Sequence, residues 1–320
     1  MRKRKIMTAV IMGFSGVAVA QSSVSLYGVA DAGIGKAKVD GDTGTKMLSG
    51  STMSNLTSRV GVRGSEDLGG GLNAGFTFET GLSLNDGATY SGGNGGGFWG
   101  RTAELWLAGD WGRFSMGRSY SPADSAVYAW ELTGTANYSL YEGMFLDVGT
   151  DFRNNSQFSY STPSFLGGLS AQVAYIFKDD RADGNSKWDL NLIYDNSPVV
   201  VAVDVNKVKS RKANYGIGVR YTINGTFKVA ASYTDARSMN LGAPPLAERR
   251  GFTIGGSAQF GLASVTLDVG RDTKVWLGQK KYTNGLIEGK YNLSERTMVY
   301  AAYLRLNGDN NWGIGLQHRF

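Results

Sequence analysis

The chain of 320 residues has no cysteine, five prolines and a single histidine, His318. Without cysteine there is neither a disulfide framework nor a thiolate metal site. The one histidine lies two residues from the end of the chain, so a Ser-His-Asp hydrolase lacks its base. Loop carboxylates are numerous, but no EF-hand spacing appears among them. The run Gly92-Gly93-Asn94-Gly95-Gly96-Gly97 is no phosphate loop, because neither a helix nor a Lys-Ser/Thr pair follows it. No catalytic set, cofactor or metal site is therefore expected, and the chain is not read as an enzyme. Mean hydropathy is −0.22, and no long apolar run follows the first 20 residues. That excludes a helical membrane protein. It does not exclude a membrane barrel, whose alternating strands average to near-neutral hydropathy.

Arg2-Lys3-Arg4-Lys5 precedes an almost wholly apolar stretch, Ile6 to Val17, and Ala18-Val19-Ala20 follows as an A-x-A cleavage site. A basic head, a short apolar run and a small-residue exit describe a signal peptide, with cleavage expected after Ala20. The apolar run is short for a membrane anchor. Residues 21–320 then form a single domain. The whole chain carries 33 basic and 27 acidic residues, +6. Segment 1–20 holds four of the basic residues, so the rest is 29 against 27, or +2. Nucleic-acid binding thereby loses its compositional support.

What is abundant is glycine, 46 residues at about twice the usual share, together with 16 Tyr, 14 Phe and 7 Trp. Strand-rich membrane proteins need such aromatics for their interfacial girdles. Period-2 alternation runs to the last residue. Trp312, Ile314, Leu316 and Phe320 share one face with His318, opposite Asn311, Gly313, Gly315, Gln317 and Arg319. A closed membrane barrel must pair such a last strand with its first, since lipid cannot satisfy an open edge.

Turn signals recur at Glu66–Gly70, Gly109–Gly112, Tyr194–Pro198, Ile223-Asn224-Gly225, Phe260-Gly261 and Asn292–Ser294. Asn-Gly and Asp-flanked glycines supply the positive φ that tight hairpins use. Longer polar stretches lie between them at 36–53, 84–99, 119–152, 178–186, 206–213, 235–249 and 272–281. Short and long connections in alternation predict an antiparallel up-and-down barrel of about 16 strands, both termini on the short-turn, periplasmic side. Phe227, Val229, Ala231 and Tyr233 oppose Lys228, Ala230, Ser232 and Thr234. Tyr215, Ile217, Val219 and Tyr221 oppose Asn214, Gly216, Gly218, Arg220 and Thr222, and Trp188, Leu190, Leu192 and Tyr194 oppose Lys187, Asp189 and Asn191. A soluble β-sandwich also alternates, but its apolar face is a packed core and it needs no strand at the very C-terminus.

Several segments carry a family resemblance. Ser22–Gly33 resembles the first strand of the general porins of β-proteobacteria, and Ser58–Leu72 their second strand and first turn. Leu107–Gly112 with Met116-Gly117-Arg118 resembles the hairpin before their pore loop, and Asn154–Phe165 the strand after it. The C-terminal strand ending in Phe320 resembles the assembly signal of outer-membrane barrels, with Trp312, Ile314 and Leu316 on its apolar face. The resemblance implies a homotrimeric barrel in the outer membrane of a Gram-negative bacterium, its third external loop folded into the lumen. Outer-membrane lipid, lipopolysaccharide and the barrel assembly machinery are the implied partners.

Residues 119–151 form the longest structureless stretch, too aromatic for a linker, with Tyr120, Tyr128, Trp130, Tyr138, Tyr141 and Phe145. It carries Asp124, Glu131, Glu142, Asp147 and Asp151 and no Lys or Arg between them. Packed inside the barrel it lines one side of a constriction with carboxylates; the alternative is an external loop over a neighbouring subunit. The opposite wall is expected to be basic. Val60 and Val62 face out, so Arg59 and Arg63 point inward; Phe158 and Tyr160 face out, so Arg153 and Gln157 do likewise. The resemblance adds Arg101, although alternation groups it with the outward Leu105 and Leu107. Segment 100–108 presents an irregular outward face of Thr102, Glu104, Trp106 and Ala108. A lipid-facing carboxylate is costly, so Glu104 is expected in the lumen or at a subunit contact.

The expected function is a water-filled channel for passive diffusion of small hydrophilic solutes and ions. Its rivals are a substrate-specific channel, a barrel enzyme and an adhesin.

Overall fold

The computed structural model describes residues 23–90, 97–145, 152–237, 248–275 and 279–320. The expected signal peptide and the loop carboxylates Asp147 and Asp151 lie outside the described residues. Sixteen strands form the wall. The first eight are β1 (Ser23–Lys36), β2 (Arg59–Gly69), β3 (Leu72–Leu82), β4 (Thr102–Gly109), β5 (Gly112–Tyr120), β6 (Arg153–Ser161), β7 (Leu169–Ile176) and β8 (Lys187–Asn196). The rest are β9 (Val199–Val208), β10 (Asn214–Thr222), β11 (Phe227–Ala236), β12 (Arg249–Phe260), β13 (Ala263–Lys274), β14 (Thr283–Asn292), β15 (Thr297–Leu306) and β16 (Asp309–Arg319). Short pieces 46–48 and 89–90 add to β1 and β3.

Every strand is antiparallel to its sequence neighbours, and β1 closes the sheet. Its first half pairs with β2, Ser23↔Ser65 to Val29↔Arg59, and its second half with β16, Val29↔Arg319 to Lys36↔Trp312. Closure leaves no backbone edge for lipid to satisfy. A polar network seals the seam on the inside. The carboxylate of Asp31 on β1 accepts from Tyr300 on β15 at 2.6 Å, from Gln317 on β16 at 2.9 Å and from the backbone of Leu56 at 3.0 Å.

Ser23, the first described residue, and the C-terminal Phe320 both lie on the short-turn rim. One connection on the loop-rich rim is short instead: Asn307-Gly308 joins β15 to β16 with φ of 52° and 91°, both in the left-handed region. The Asn224-Gly225 turn does not use positive φ. There the Asn224 side chain accepts from the backbone of Thr226 and Phe227 at 2.8 and 2.9 Å.

The predicted faces hold over the regular strands. Ile217 is 44% exposed on the outer surface while its neighbour Asn214, facing in, is 1% exposed. On β4 the expected outward face is corrected. Glu79 pairs with Thr102 and Thr77 with Glu104, on the face opposite Phe76, Phe78, Leu105 and Leu107. Thr102, Glu104 and Trp106 thus face the lumen, Arg113 meets Glu104 at 2.6 Å, and the outward face is regular. The irregularity offers no argument for a subunit contact.

The interior is not empty. Residues 121–145 form α1 (Pro122–Trp130) and α2 (Leu140–Phe145), which pack against the inner faces of β8–β10 and β12–β15. Trp130, Tyr138, Tyr141, Met144 and Phe145 form an apolar cluster with Val200, Ala202, Leu286, Tyr300, Leu304 and Leu306. These apolar side chains occupy inward positions of β9, β14 and β15, which explains why the wet face of those strands is not uniformly polar. Burying them against the loop supplies the hydrophobic gain that offsets ordering it.

Candidate constriction site

Glu79 is the organising residue of the basic wall. It points inward from β3 between two guanidinium groups, 3.3 Å from Arg59 Nε and 2.7 Å from Arg101 Nε. Tyr27 donates a third bond to its carboxylate at 3.2 Å. Arg101 Nη2 donates to the Tyr120 hydroxyl at 3.4 Å, and Arg153 lies over the Tyr120 ring, 4.1 Å from its centroid. Arg59, Arg101 and Arg153 are therefore brought together around one carboxylate and one aromatic ring. Arginine keeps its proton in such company, so the cluster stays cationic.

The routes by which they converge differ from simple alternation. Arg101 precedes β4, outside the register that would turn it outward, and its backbone N–H bonds Glu79 O at 3.1 Å. Just after Arg153 a bulge interrupts the strand. Pairing passes from Gly117↔Gln157 to Ser119↔Asn154, with Ser156 at φ 47°. Asn154 therefore shares the inner face with Gln157, to which it donates at 3.0 Å. The odd-number parity expected to place Arg153 fails at this step, and Arg153 reaches the cluster through Tyr120 instead. Two of its donors, Nε and Nη2, are buried with no acceptor among the described residues. Arg63 also faces in, but it bonds Ser25 at 3.3 Å and sits over the Tyr27 ring, outside the cluster.

The loop carboxylates are not equivalent. Ser121 caps α1 by accepting from Asp124 N at 3.0 Å, Pro122 occupies its first turn, and Asp189 on β8 accepts from Ala123 N at 3.2 Å. Two acceptors at one helix N-terminus satisfy orphan donors and suit its positive end. Asp189 pairs with fully buried Lys187 at 3.7 Å, and Lys187 donates to Asn154 at 2.8 Å. Asp124 thereby sits near Arg153 and Arg101. Burial pushes its carboxyl up to about 7, against the pull of Arg153 and Arg101 and with a further push from Asp189. Burial also raises the Glu142 carboxyl well above the usual range, the Asp124 and Glu131 charges adding to it and Arg153 opposing them.

Glu131 does not face the arginines. Its carboxylate accepts from the backbone of Thr133 and Thr135 and from the Ser139 hydroxyl, each at 2.8 Å. It folds the loop tip through Gly134 and Thr135, at φ 73° and 54°. That tip is moored across the lumen. Lys290 donates to Thr133 O at 2.8 Å, Asn137 to Ser51 O at 3.1 Å, and Tyr138 to Asn55 at 2.8 Å.

Sequence reading missed Glu79, Tyr27 and the mooring residue Lys290. Alternation was the available signal for Glu79, which follows the outward Phe76 and Phe78 at the opposite parity. Among the described residues no His/Cys/Asp/Glu group is arranged to hold a metal ion, and no helix is long and apolar enough to cross a membrane.

A closed antiparallel wall of sixteen strands with a loop packed against its inner face is the architecture of a membrane channel. The family model described as Gram-negative porin matches residues 8–311, and the chain belongs to that family. Outer membrane porin protein 32 of Delftia acidovorans is 28% identical, over 98% of this chain and 92% of the relative. An outer membrane porin protein of Bordetella pertussis is 29% identical, over 88% of this chain and 72% of the relative. Among solved structures, an anion-selective porin from Comamonas acidovorans superposes with a TM-score of 0.75 at 24% identity, covering 94% of this chain and all of that one. That likeness bears on the fold alone.

Proposed function

We propose that this chain forms an outer-membrane passage for passive diffusion of small hydrophilic solutes and ions, with a preference for anions. The observation that carries the preference is the convergence of Arg59 and Arg101 on a single glutamate, Glu79, with Arg153 gathered beside them over the Tyr120 ring. Of the loop carboxylates meant to balance them, Glu131 is spent inside the loop, and burial pushes the Asp124 carboxyl up to about 7, so that it carries only part of its charge at neutral pH. In this reading the loop narrows the lumen opposite the arginines, and the excess positive charge draws anions through a water-filled constriction. Nothing in the reading calls for catalysis. Planar-bilayer recording tests it: ohmic steps with a reversal potential on the anion side support it, and absent conductance would sink it. A substrate-specific channel would show flux that saturates with one solute class.

Family membership supports a homotrimer, inserted by the barrel assembly machinery after removal of residues 1–20. A monomeric mass in mild detergent would overturn the trimer, and an N-terminus other than Gln21 on the purified protein would overturn the cleavage site.

A further inference from the structure

Glu104 takes no part in the basic wall around Glu79. It faces the lumen one inward position above Trp106 on β4, and Arg113 at the start of β5 reaches both. Arg113 Nη2 donates to Glu104 Oε1 at 2.6 Å, and its guanidinium carbon lies 4.5 Å from the centre of the Trp106 ring. Trp106 pairs with Gly75 on one side and Ser115 on the other, and a Cβ on Gly75 would fall 2.3 Å from the indole. The ring therefore lies over bare backbone, flanked by the Ser115 and Ser159 hydroxyls, which are 2.8 Å apart. Thr102, in the cross-strand row of Glu79, is four residues up β4. The cluster thus sits about 14 Å below the arginines, toward the short-turn rim. The loop helices pack against β8–β10 and β12–β15, whereas Glu104, Trp106 and Arg113 are each partly exposed.

The Arg113 side chain is 40% exposed, so its ion pair adds little to the stability of the wall. What the pair does is select by charge pattern. A bare anion approaching Arg113 meets Glu104 beside it, and a bare cation approaching Glu104 meets Arg113. A solute that carries both charges close together is opposed by neither. Its carboxylate can accept from the guanidinium N–H groups that Glu104 leaves unused, and its ammonium can donate to the second glutamate oxygen. The indole beside them offers an apolar surface to whatever side chain the solute carries.

Resting on the channel reading above, we propose that Glu104, Arg113 and Trp106 form a second solute subsite in the lumen, on the periplasmic side of the arginines, for zwitterionic α-amino acids with an apolar side chain. The test is a saturation-transfer NMR titration of the detergent-solubilised protein with phenylalanine, glycine, phenylalaninamide and N-acetylphenylalanine. Glu104→Gln should weaken phenylalanine roughly tenfold and leave N-acetylphenylalanine, which has no ammonium, unweakened. Arg113→Gln should weaken phenylalanine as much and leave phenylalaninamide, which has no carboxylate, unweakened. Heat-modifiable migration shows which variants have folded. The wild type alone gives a second test, since it should bind phenylalanine roughly tenfold more tightly than glycine or phenylalaninamide. A wild type that does not distinguish these three overturns the proposal, as does a folded Glu104→Gln with unchanged affinity for phenylalanine. Lack of conductance in the wild type would instead overturn the channel reading, and the titration reads out independently of it.

Discussion

The ring of Phe320 lies directly over Gly28, on the outer face of the seam between the last strand and the first. Gly28 N donates to Phe320 O at 3.0 Å, and Phe320 N to Gly28 O at 3.1 Å. A Cβ on Gly28 would fall within the ring and 2.7 Å from the Arg59 carbonyl oxygen. The backbone oxygen cannot swing aside as a ring can. Gly28→Ala is therefore expected to obstruct closure, at a cost of about 1–3 kcal/mol for overpacking. Deleting Phe320 removes the same clasp from the other side. Both variants should yield less heat-modifiable barrel in the outer membrane, whereas Gly289→Ala, into open space, should assemble normally. Wild-type assembly of Gly28→Ala would refute the clasp.

Charge removal at the basic wall should move selectivity. A unit charge about 6 Å from a passing ion contributes roughly 0.7 kcal/mol in water, or about threefold in permeability ratio. Arg59→Ser and Arg153→Ser should each shift the reversal potential toward cations by that order. The shift should shrink as salt rises and the Debye length falls below about 8 Å. Glu79→Gln should act oppositely, since it frees Arg59 and Arg101 from their shared counter-ion.

Asp124 makes that selectivity depend on pH. Its carboxyl titrates at about 7, so below that pH it is neutral and above it adds a negative charge beside Arg153. Anion preference is expected to fall as pH rises from about 6 to about 8. Asp124→Asn should hold the low-pH value throughout. The charged form is the costlier one in this buried place, so the packing of α1 on the wall should be firmest on the acid side and weaken as pH rises toward and through 7. A reversal potential that ignores pH in the wild type would remove Asp124 from the passage.

Glu131 should behave as a structural residue. Glu131→Ala leaves the backbone donors of Thr133 and Thr135 without their acceptor, at about 1–3 kcal/mol each if they stay dry. The expected result is a noisier open channel from a loosened loop tip, with little change of reversal potential. A selectivity shift as large as that of Arg153→Ser would return Glu131 to the constriction.

Much of the wall was legible because a membrane barrel repeats one rule. Trp188, Leu190 and Leu192 against Lys187, Asp189 and Asn191 reads directly from period two, and the strand number followed from the rhythm of turns. The site was legible only in part. Arg59 obeys alternation, but Arg101 stands before its strand and Arg153 behind a bulge, where residue parity carries no facing information. Glu131 and Asp124 look alike in sequence; only the fold of Thr133, Thr135 and Ser139 around the first tells them apart. The inward Leu286 and Leu304 interrupt the polar face for a tertiary reason, the loop that covers them, which no local pattern announces.

Trp130 lies so close over Gly218 that any side chain there would collide with its indole, and Met144 lies likewise over Gly270. The loop hugs the wall because the wall is bare beneath it. The bore of the channel is thus set partly from behind, by hydrogen atoms standing where methyl groups would push the loop toward the arginines. Solute size could be tuned over evolution at positions that no passing molecule ever touches.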